Sequence, residues 1–399
     1  MNIGRNVGIM GESGKCLNTI PAHVNRPDEG LPMPVRSLKY RLYPNQAQAE
    51  WLTGQLREAC SLYNDALQER RDAWKTCRKH VSFYEQSRQL KDLRAQGLLK
   101  IPNFNCAEEI LKRLDRSYSA LFRRGYGFPR FRSVRRFDSI TFPKRTSGFS
   151  VYGDRLRLQG CSLIKINLHR RVDGTIKTAT VKREGQKWFV TFSVEYQPIT
   201  LPAVEGECGV DVGLTSFVAL SDGSTIAAPQ FFRKAQAKLR RAQRHLARCK
   251  RGSKRRTKAL ARVARHHVKV RNQRSDFHHK LSRQIVNSNQ LIAVEDLNVK
   301  GLAQSRLAKS IHDAGWSSFV NMLTYKAADA GRTLVRVNPR GTSQTCICGA
   351  SVPKELRDRW HDCPEFELSA SRDVVSAMVI LAAGRAAQIV TNGDVQCVI

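Results

Sequence analysis

Apolar and polar positions change rhythm several times along the chain. Leu38-Lys39-Tyr40-Arg41-Leu42 alternates, which predicts a strand that Pro44 ends. From Gln46 to about Trp74 the apolar positions Trp51, Leu52, Leu56, Ala59, Leu62, Tyr63 and Leu67 recur at helical spacing. Further helices are predicted over 82–96 and 106–124, before Gly125 and Gly127 break the pattern. From 138 to 197 the two-residue period returns in strands such as 162–169, 175–183 and 187–196, with Asp173-Gly174 and Gly185 as turn signals. Together with the strand near 38, these predict a small β-barrel into which the 46–124 helices are inserted.

After 207 the pattern changes again. Two short strands, 208–213 and 217–221, lead through the Asp222-Gly223 turn to a third at 225–227. A long basic helical stretch is predicted over 230–284, a buried strand over 291–297, a helix over 316–330, a strand over 333–337 and a last helix over 373–387. Residues 1–34 show no periodicity and read as a disordered tail or an over-long start, with Met33 as an alternative initiator. The last residues, 389–399, read as a tail. No internal repeat is evident.

Charge changes the picture most. Lys and Arg total 68 against 34 acids, a net charge of +34 over 399 residues. Such a chain repels itself unless a polyanion screens it, and nucleic acid is the usual one. No run of 18 apolar residues predicts a membrane helix, and Met1 to Gly30 has no signal-peptide core. Of eleven cysteines only Cys346, Cys348 and Cys363 cluster, which suits a reducing compartment and a metal site better than a disulfide framework.

The basic residues concentrate in two places. Residues 233–283 hold 20 Lys and Arg and one acid, Asp276, too lopsided for a helix solvated by i,i+4 ion pairs. Lys250, Arg251, Lys254, Arg255, Arg256 and Lys280 are candidate phosphate contacts there. Arg123, Arg124, Arg130 and Arg132 interleave with Tyr126, Phe128, Phe131 and Phe137, whose rings stack on bases or pack in a core. The pairs His266-His267 and His278-His279 are weak metal candidates, because neighbours on a helix point about 100° apart.

Three acids interrupt apolar runs. Asp211 lies in Gly209-Val210-Asp211-Val212-Gly213 and Glu295 in Leu291-Ile292-Ala293-Val294-Glu295-Asp296-Leu297. Alternation puts Glu295 on one face with Leu291 and Ala293, and Asp296 on the other. Asp373 opens the helix Val374-Val375-Ser376-Ala377, where it could be no more than a cap. If the three meet, each pair at about 5 Å repels by roughly 3 kcal/mol at an effective dielectric near 20. Magnesium would relieve that repulsion, and two ions would serve phosphodiester hydrolysis.

In this order, Gly209-Val210-Asp211-Val212-Gly213-Leu214, Val294-Glu295-Asp296-Leu297 and Arg372-Asp373 resemble the three-part RuvC nuclease core of TnpB proteins, insertion-sequence-encoded relatives of type V CRISPR effectors. Tyr40-Arg41-Leu42-Tyr43-Pro44, Gly127-Phe128-Pro129-Arg130-Phe131, Asp276-Phe277-His278-His279-Lys280-Leu281 and Asp313-Ala314-Gly315-Trp316 match as well. The resemblance implies an α+β multidomain protein. A wedge-like β-barrel would span 35–45 and 126–200, and an inserted helical recognition domain 46–125. An RNase H-like (RuvC) α/β nuclease domain would span 201–342 and 368–388, with a zinc-ribbon-like insertion over 343–367. It implies a magnesium-dependent, transposon-encoded DNA endonuclease with Asp211, Glu295 and Asp373 as catalytic metal ligands. It also implies a guide RNA and a double-stranded DNA target as partners, read mostly by base pairing, in the bacterial cytoplasm with the nucleoid.

The chain departs from the family pattern after 345. The first ribbon pair is Cys346-Ile347-Cys348, one residue short, and Phe366 stands where a fourth cysteine is expected. Three thiols fall one short of a tetrahedral zinc set, so zinc stays an open alternative, with His361 as a candidate substitute ligand. Val375 stands in place of an Asn near Asp373. Two further readings therefore stay open. One is a cleavage-impaired, RNA-guided DNA-binding protein. The other is a strand-joining transposase, although such enzymes present Asp, Asp, Glu and this chain presents Asp, Glu, Asp.

Overall fold

A computed structural model describes residues 33–143, 148–355 and 357–393. The expectations for the first residues and for the extreme C-terminus lie outside those residues, apart from Met33, Pro34 and the last helix. Contacts divide the chain into two compact units. One comprises Gly30–Pro198 with Lys238–Val268, the other Ile199–Ala237 with the chain from Lys269 on, each over its described residues.

The first unit opens with β1 (Val35–Tyr43), α1 (Gln46–Cys77), α2 (Phe83–Ala95) and α3 (Phe104–Arg124). Local chemistry sets the helix ends. Asn45 and Gln48 form a capping box at the start of α1, Ser82 and Glu85 another at α2, and Arg78 ends α1 in the left-handed conformation. Six strands follow: β2 (Ser139–Pro143), β3 (Phe149–Tyr152), β4 (Arg155–Leu158), β5 (Cys161–Asn167), β6 (Thr175–Glu184) and β7 (Lys187–Glu195). All pair antiparallel in the order β2-β6-β7-β1-β5-β4-β3.

The sheet rolls up. Phe149 on β3 and Phe192 on β7 lie four strands apart, about 19 Å in a flat sheet, yet their ring centroids are 6.1 Å apart. This is the barrel-type sheet the alternation predicts. Its inner face carries Tyr40, Leu42, Ile166, Val190 and Phe192, and the buried faces of α1 and α3 join the same core through Leu56, Tyr63, Ile110 and Leu114. The helices inserted in sequence are thus packed into the barrel's core.

The second unit is built on β8 (Glu207–Val212), β9 (Ser216–Leu220) and β10 (Thr225–Ala227); the basic helices α4 (Phe231–Arg248) and α5 (Lys254–Ser288) follow in the chain, and their Lys238–Val268 portion belongs to the first unit. The single basic helical stretch expected over 230–284 is therefore two helices. Chain reversal between them runs through Gly252 at φ 84°. Next come β11 (Leu291–Glu295), the short α6 (Val299–Leu302) and α7 (Ala308–Ala314), α8 (Trp316–Ala330), β12 (Thr333–Val337), the hairpin β13 (Trp360–Asp362) and β14 (Ser369–Ser371), and α9 (Arg372–Gly393).

The main sheet has the order β10-β9-β8-β11-β12. The first three strands pair antiparallel, and β8, β11 and β12 run parallel. Its two faces have separate cores. Cys208, Val210, Val212, Ile292 and Val294 pack with Phe319 and Leu323 of α8. Leu291, Ala293, Val335 and Val337 pack with Ile380 and Leu381 of α9. The period of two along each strand therefore decides which residues face α9.

Candidate active site

The face toward α9 carries the acids. Gly209 and Asp211 alternate with Val210 and Val212, so both point away from the α8 core. Backbone contact fixes what lies opposite. A Cβ on Gly209 would sit 1.9 Å from the Ala377 carbonyl oxygen, and one on Gly384 would sit 2.5 Å from the Ala293 Cβ. Only glycine lets α9 lie this close to β8 and β11. Asp373 is one helical turn before Ala377, about 6 Å, and Asp211 is two strand residues beyond Gly209, about 7 Å. The close approach at Gly209 thus sets Asp211 next to the first turn of α9.

Glu295 comes from the neighbouring strand. The parallel register pairs Ala293 with Gly209 and Val294 with Val210. One further step places Glu295 beside Asp211 on the same face. The Thr342 hydroxyl donates to the Glu295 carboxylate at 2.5 Å. Asp296 points the other way and makes an exposed ion pair with Arg336 at 3.2 Å, as the alternation predicts.

Electrostatics shows that these groups sense one another. Burial first, then the charges of Glu295 and Asp373, push the Asp211 carboxyl up to about 7, against the pull of Arg372 and of the Val212 N–H. Burial raises Glu295 too, opposed by its bond from Thr342. Arg372 is the nearest counter-charge, with Nε 3.6 Å from the Asp373 carboxylate. A site that keeps three acids together with one arginine between them is short of positive charge.

The loops around the site are tied by residues whose roles the sequence did not reveal. The Asp313 carboxylate accepts from the Phe232 N–H at 2.9 Å and the Arg233 N–H at 3.3 Å, capping α4. The Trp316 indole donates to the Gly213 carbonyl at 3.3 Å, pinning the chain that leaves β8. His278 bonds the Ala314 carbonyl through Nε2 at 2.9 Å and stacks on Phe217 with ring centroids 5.2 Å apart. His278 is therefore a buried framework residue.

The cysteines converge more tightly than the acids. Among the described residues, Cys346, Cys348 and Cys363 are the one group of three such side chains whose ligand atoms all lie within 4.8 Å of one another. His361 is not in that set. It is fully buried, its Nδ1 accepts from the Lys354 ammonium at 2.5 Å, and its Nε2 has no partner. Phe366 is 49% exposed and supplies no donor.

Comparison with known proteins places this arrangement. A family profile described as "Probable transposase" matches residues 191–306, one described as "Cas12f1-like, TNB domain" matches 316–380, and a "Helix-turn-helix domain" profile matches 33–79. A protein of Streptomyces pristinaespiralis named "Putative RNA-guided DNA endonuclease" is 32% identical over 372 residues, 90% of this chain and 91% of that one. The chain belongs to the TnpB family. InsQ of Escherichia coli strain K12, which carries the same description, is 28% identical over 88% of this chain and 93% of its own length. Among solved structures, the cryo-EM structure of a Cas12f1-sgRNA-target DNA complex shares the fold, with TM-score 0.59 and 15% identity over 84% of this chain and 83% of that one.

The basic candidates of this TnpB-family chain divide by exposure. Arg123, Arg124, Arg130 and Arg132 are exposed, and the main chain of Arg132 is held at both N–H and C=O by the Asn64 amide. Tyr126, Phe128 and Phe131 are exposed as well, whereas Phe137 is in the barrel core, so core packing holds for Phe137. Lys250, Arg251, Lys254 and Arg255 are exposed around the α4–α5 turn. Arg256 is half-buried and donates to the Leu246 and Cys249 carbonyls at 3.1 and 3.2 Å, which makes it a cap for the end of α4. Lys280 is exposed and paired with Asp276 at 2.8 Å. Among the described residues, no helix is long and apolar enough to cross a membrane.

Proposed function

We propose that this chain is an RNA-guided DNA endonuclease encoded by a mobile element, with Asp211, Glu295 and Asp373 as its catalytic metal ligands. The observation that carries the reading is the Asp211 carboxyl, fixed on a central strand and driven up to about 7 by burial and by the other two acids. The donor set suits a hard divalent cation: Asp211 and Glu295 lie on one face of the sheet, Asp373 starts the helix that covers that face, and Arg372 is the cation that draws the Asp211 pKa down. Two magnesium ions suit it best. When bound, magnesium supplies an activated water and neutralises charge developing on the phosphodiester. The chain's own part is to hold the acids in register through Gly209 and Gly384, and to orient Glu295 through Thr342.

The sheet order, with three antiparallel strands followed by two parallel ones and α9 across one face, supports an RNase H-like (RuvC) nuclease domain over 201–342 and 368–388. The barrel part, 35–45 and 126–200, and the helices, 46–125, then carry guide RNA and target DNA recognition. The relatives named as RNA-guided endonucleases support these partners. The exposed arginines and lysines named above are the proposed phosphate contacts. Residues 343–367 form a degenerate ribbon-like insertion in which three thiols would hold three positions of a zinc site. The working place is the bacterial cytoplasm, at nucleoid DNA.

The test is to purify the protein with its RNA, sequence that RNA, and add matched double-stranded DNA with magnesium. Cleavage at the matched site, lost in Asp211→Ala, is the expected result. A second reading, guided binding without cutting, is favoured by Phe366 at the fourth thiol position and by Val375, which is buried in the first turn of α9. Guide-dependent binding with intact DNA in magnesium would establish it.

A further inference from the structure

We propose that the segment 342–372, which contains the ribbon-like insertion, braces the acid site: each of its two ends holds one acid, and the thiol cluster is the clasp that joins its two arms. The inference rests on the reading of the acids as a divalent-ion site and adds the regulation of that site.

The first arm meets an acid as it leaves β12. Buried Thr342 donates to the Glu295 carboxylate at 2.5 Å. A tight turn carries that position to the first thiols. The Gln344 N–H donates to the Gly341 carbonyl at 2.9 Å, the Thr345 hydroxyl to the same carbonyl at 3.0 Å, and the Cys346 N–H to the Ala350 carbonyl at 2.9 Å.

The second arm enters α9 beside another acid. β13 and β14 pair antiparallel, with Asp362 opposite Ser369 and Trp360 opposite Ser371. The Arg372 N–H extends that ladder to the Arg359 carbonyl at 2.9 Å. The Arg372 guanidinium lies 3.6 Å from the Asp373 carboxylate, both largely buried, and donates to the Glu355 carbonyl at 3.3 Å. Cys363 directly follows β13, its N–H bonded to the Leu368 carbonyl at 3.0 Å. The hairpin therefore links Cys363 to Arg372 as the turn links Cys346 to Thr342.

The arms are tied to each other in two places. Lys354 donates to the Ser343 carbonyl of the first arm at 3.2 Å and to His361 Nδ1 of the second at 2.5 Å. The thiols make the other tie: Cys346 and Cys348 belong to the first arm and Cys363 to the second, with the Cys348 and Cys363 sulfurs 3.6 Å apart. A contact between thiols is weak. Joining these sulfurs through one thiophilic ion removes the freedom of one arm against the other, and so of Thr342 against Arg372. Donors held in place in advance bind more tightly, because less order is lost on binding. Occupancy of the thiol cluster then tightens the acid site, and a divalent ion at the acids tightens the clasp in return.

The test is manganese binding to the full-length protein, followed by electron paramagnetic resonance before and after the clasp is closed with phenylarsine oxide. Its arsenic exchanges the oxygen for two sulfurs and releases one water, and the product carries no charge to compete at the acids. Cys348 is exposed and Cys363 half-exposed, so the reagent can reach both. Mass spectrometry should show the arsenic bridging to Cys363. The expected result is manganese affinity at least threefold tighter after closure, reversed by a small dithiol that strips the arsenic. Cys363→Ser should not respond. Thr342→Ser keeps the hydroxyl and should keep the gain, whereas Thr342→Val cuts the first arm from Glu295 and should lose more than half of it. A gain below threefold in the parent, an undiminished gain in Thr342→Val, or failure of the arsenic to bridge to Cys363 overturns the brace. Manganese uptake that is absent, or that survives Asp211→Ala, overturns instead the reading of the acids, and the brace with it.

Discussion

The two candidate metal centres of this chain are built in opposite ways. The acids are far apart in sequence and are set by regular structure: a central strand, its parallel neighbour and a helix lying so close that glycine is required at 209 and 384. The thiols lie within 18 residues, on turns and a short hairpin, and already approach within ligand distance. The acid site keeps its three donors but holds them at a cost, because burial and the charges of Glu295 and Asp373 disfavour the ionised Asp211. The thiol site brings three sulfurs within 4.8 Å of one another and, among the described residues, shows no fourth such donor in that set. Register built into a sheet resists drift, since a change there disturbs a core. A residue on a surface turn, such as the exposed Phe366, can change with little effect on packing.

The largest expected effect that would break this contrast is at the acid site. Asp211→Ala should lower guided cleavage at least a thousandfold while leaving RNA binding within twofold, measured by gel-shift and cleavage on the same preparation. Next is Gly209→Ala. The added methyl meets the Ala377 carbonyl, so α9 must shift; overpacking of this kind costs about 1–3 kcal/mol, and cleavage should fall more than stability does. Retention of full activity and unchanged Tm in that variant would separate the acids from the helix register.

A pH experiment sharpens the same point. The fold raises the Asp211 pKa above its unfolded value, so Asp211 adds stability below about pH 4, and this is lost as pH rises through about 7. Metal-free Asp211→Asn should therefore be more stable than the parent above pH 8, by roughly 2–4 kcal/mol, with the gain vanishing near pH 4 and on adding magnesium. Thermal melts at both pH values read it directly. Smaller again, Thr342→Val removes the bond that lowers the Glu295 pKa and should weaken divalent-ion affinity by roughly tenfold. The smallest effect on cleavage is expected from Phe366→Cys, which should make zinc retention through a chelating column stoichiometric.

Much of this was legible before the fold was known. Asp211 and Glu295 stood out because acids in apolar strands are costly, and the period of two put Glu295 on the correct face, opposite Asp296. The barrel strands and helices α1 to α3 followed from periodicity and from the proline, glycine and Asp-Gly breaks between them. Other features were not legible because they depend on distant partners. Thr342 bonds Glu295 across 47 residues of chain, and nothing local marks it. Gly209 looked like a flank to a strand, and its meaning lies in the helix above it. Arg256 read as a phosphate contact because charge is visible in sequence, whereas the carbonyls it caps are not. The turn between α4 and α5 was hidden by basic, helix-favouring residues on both sides of Gly252.

The most direct test of the central claim, that the acids at 211, 295 and 373 jointly grip a divalent ion, is manganese binding followed by electron paramagnetic resonance. The parent protein should take up manganese at a site that each of Asp211→Ala, Glu295→Gln and Asp373→Ala abolishes, with circular dichroism unchanged. Equal manganese uptake by the parent and all three variants would contradict it.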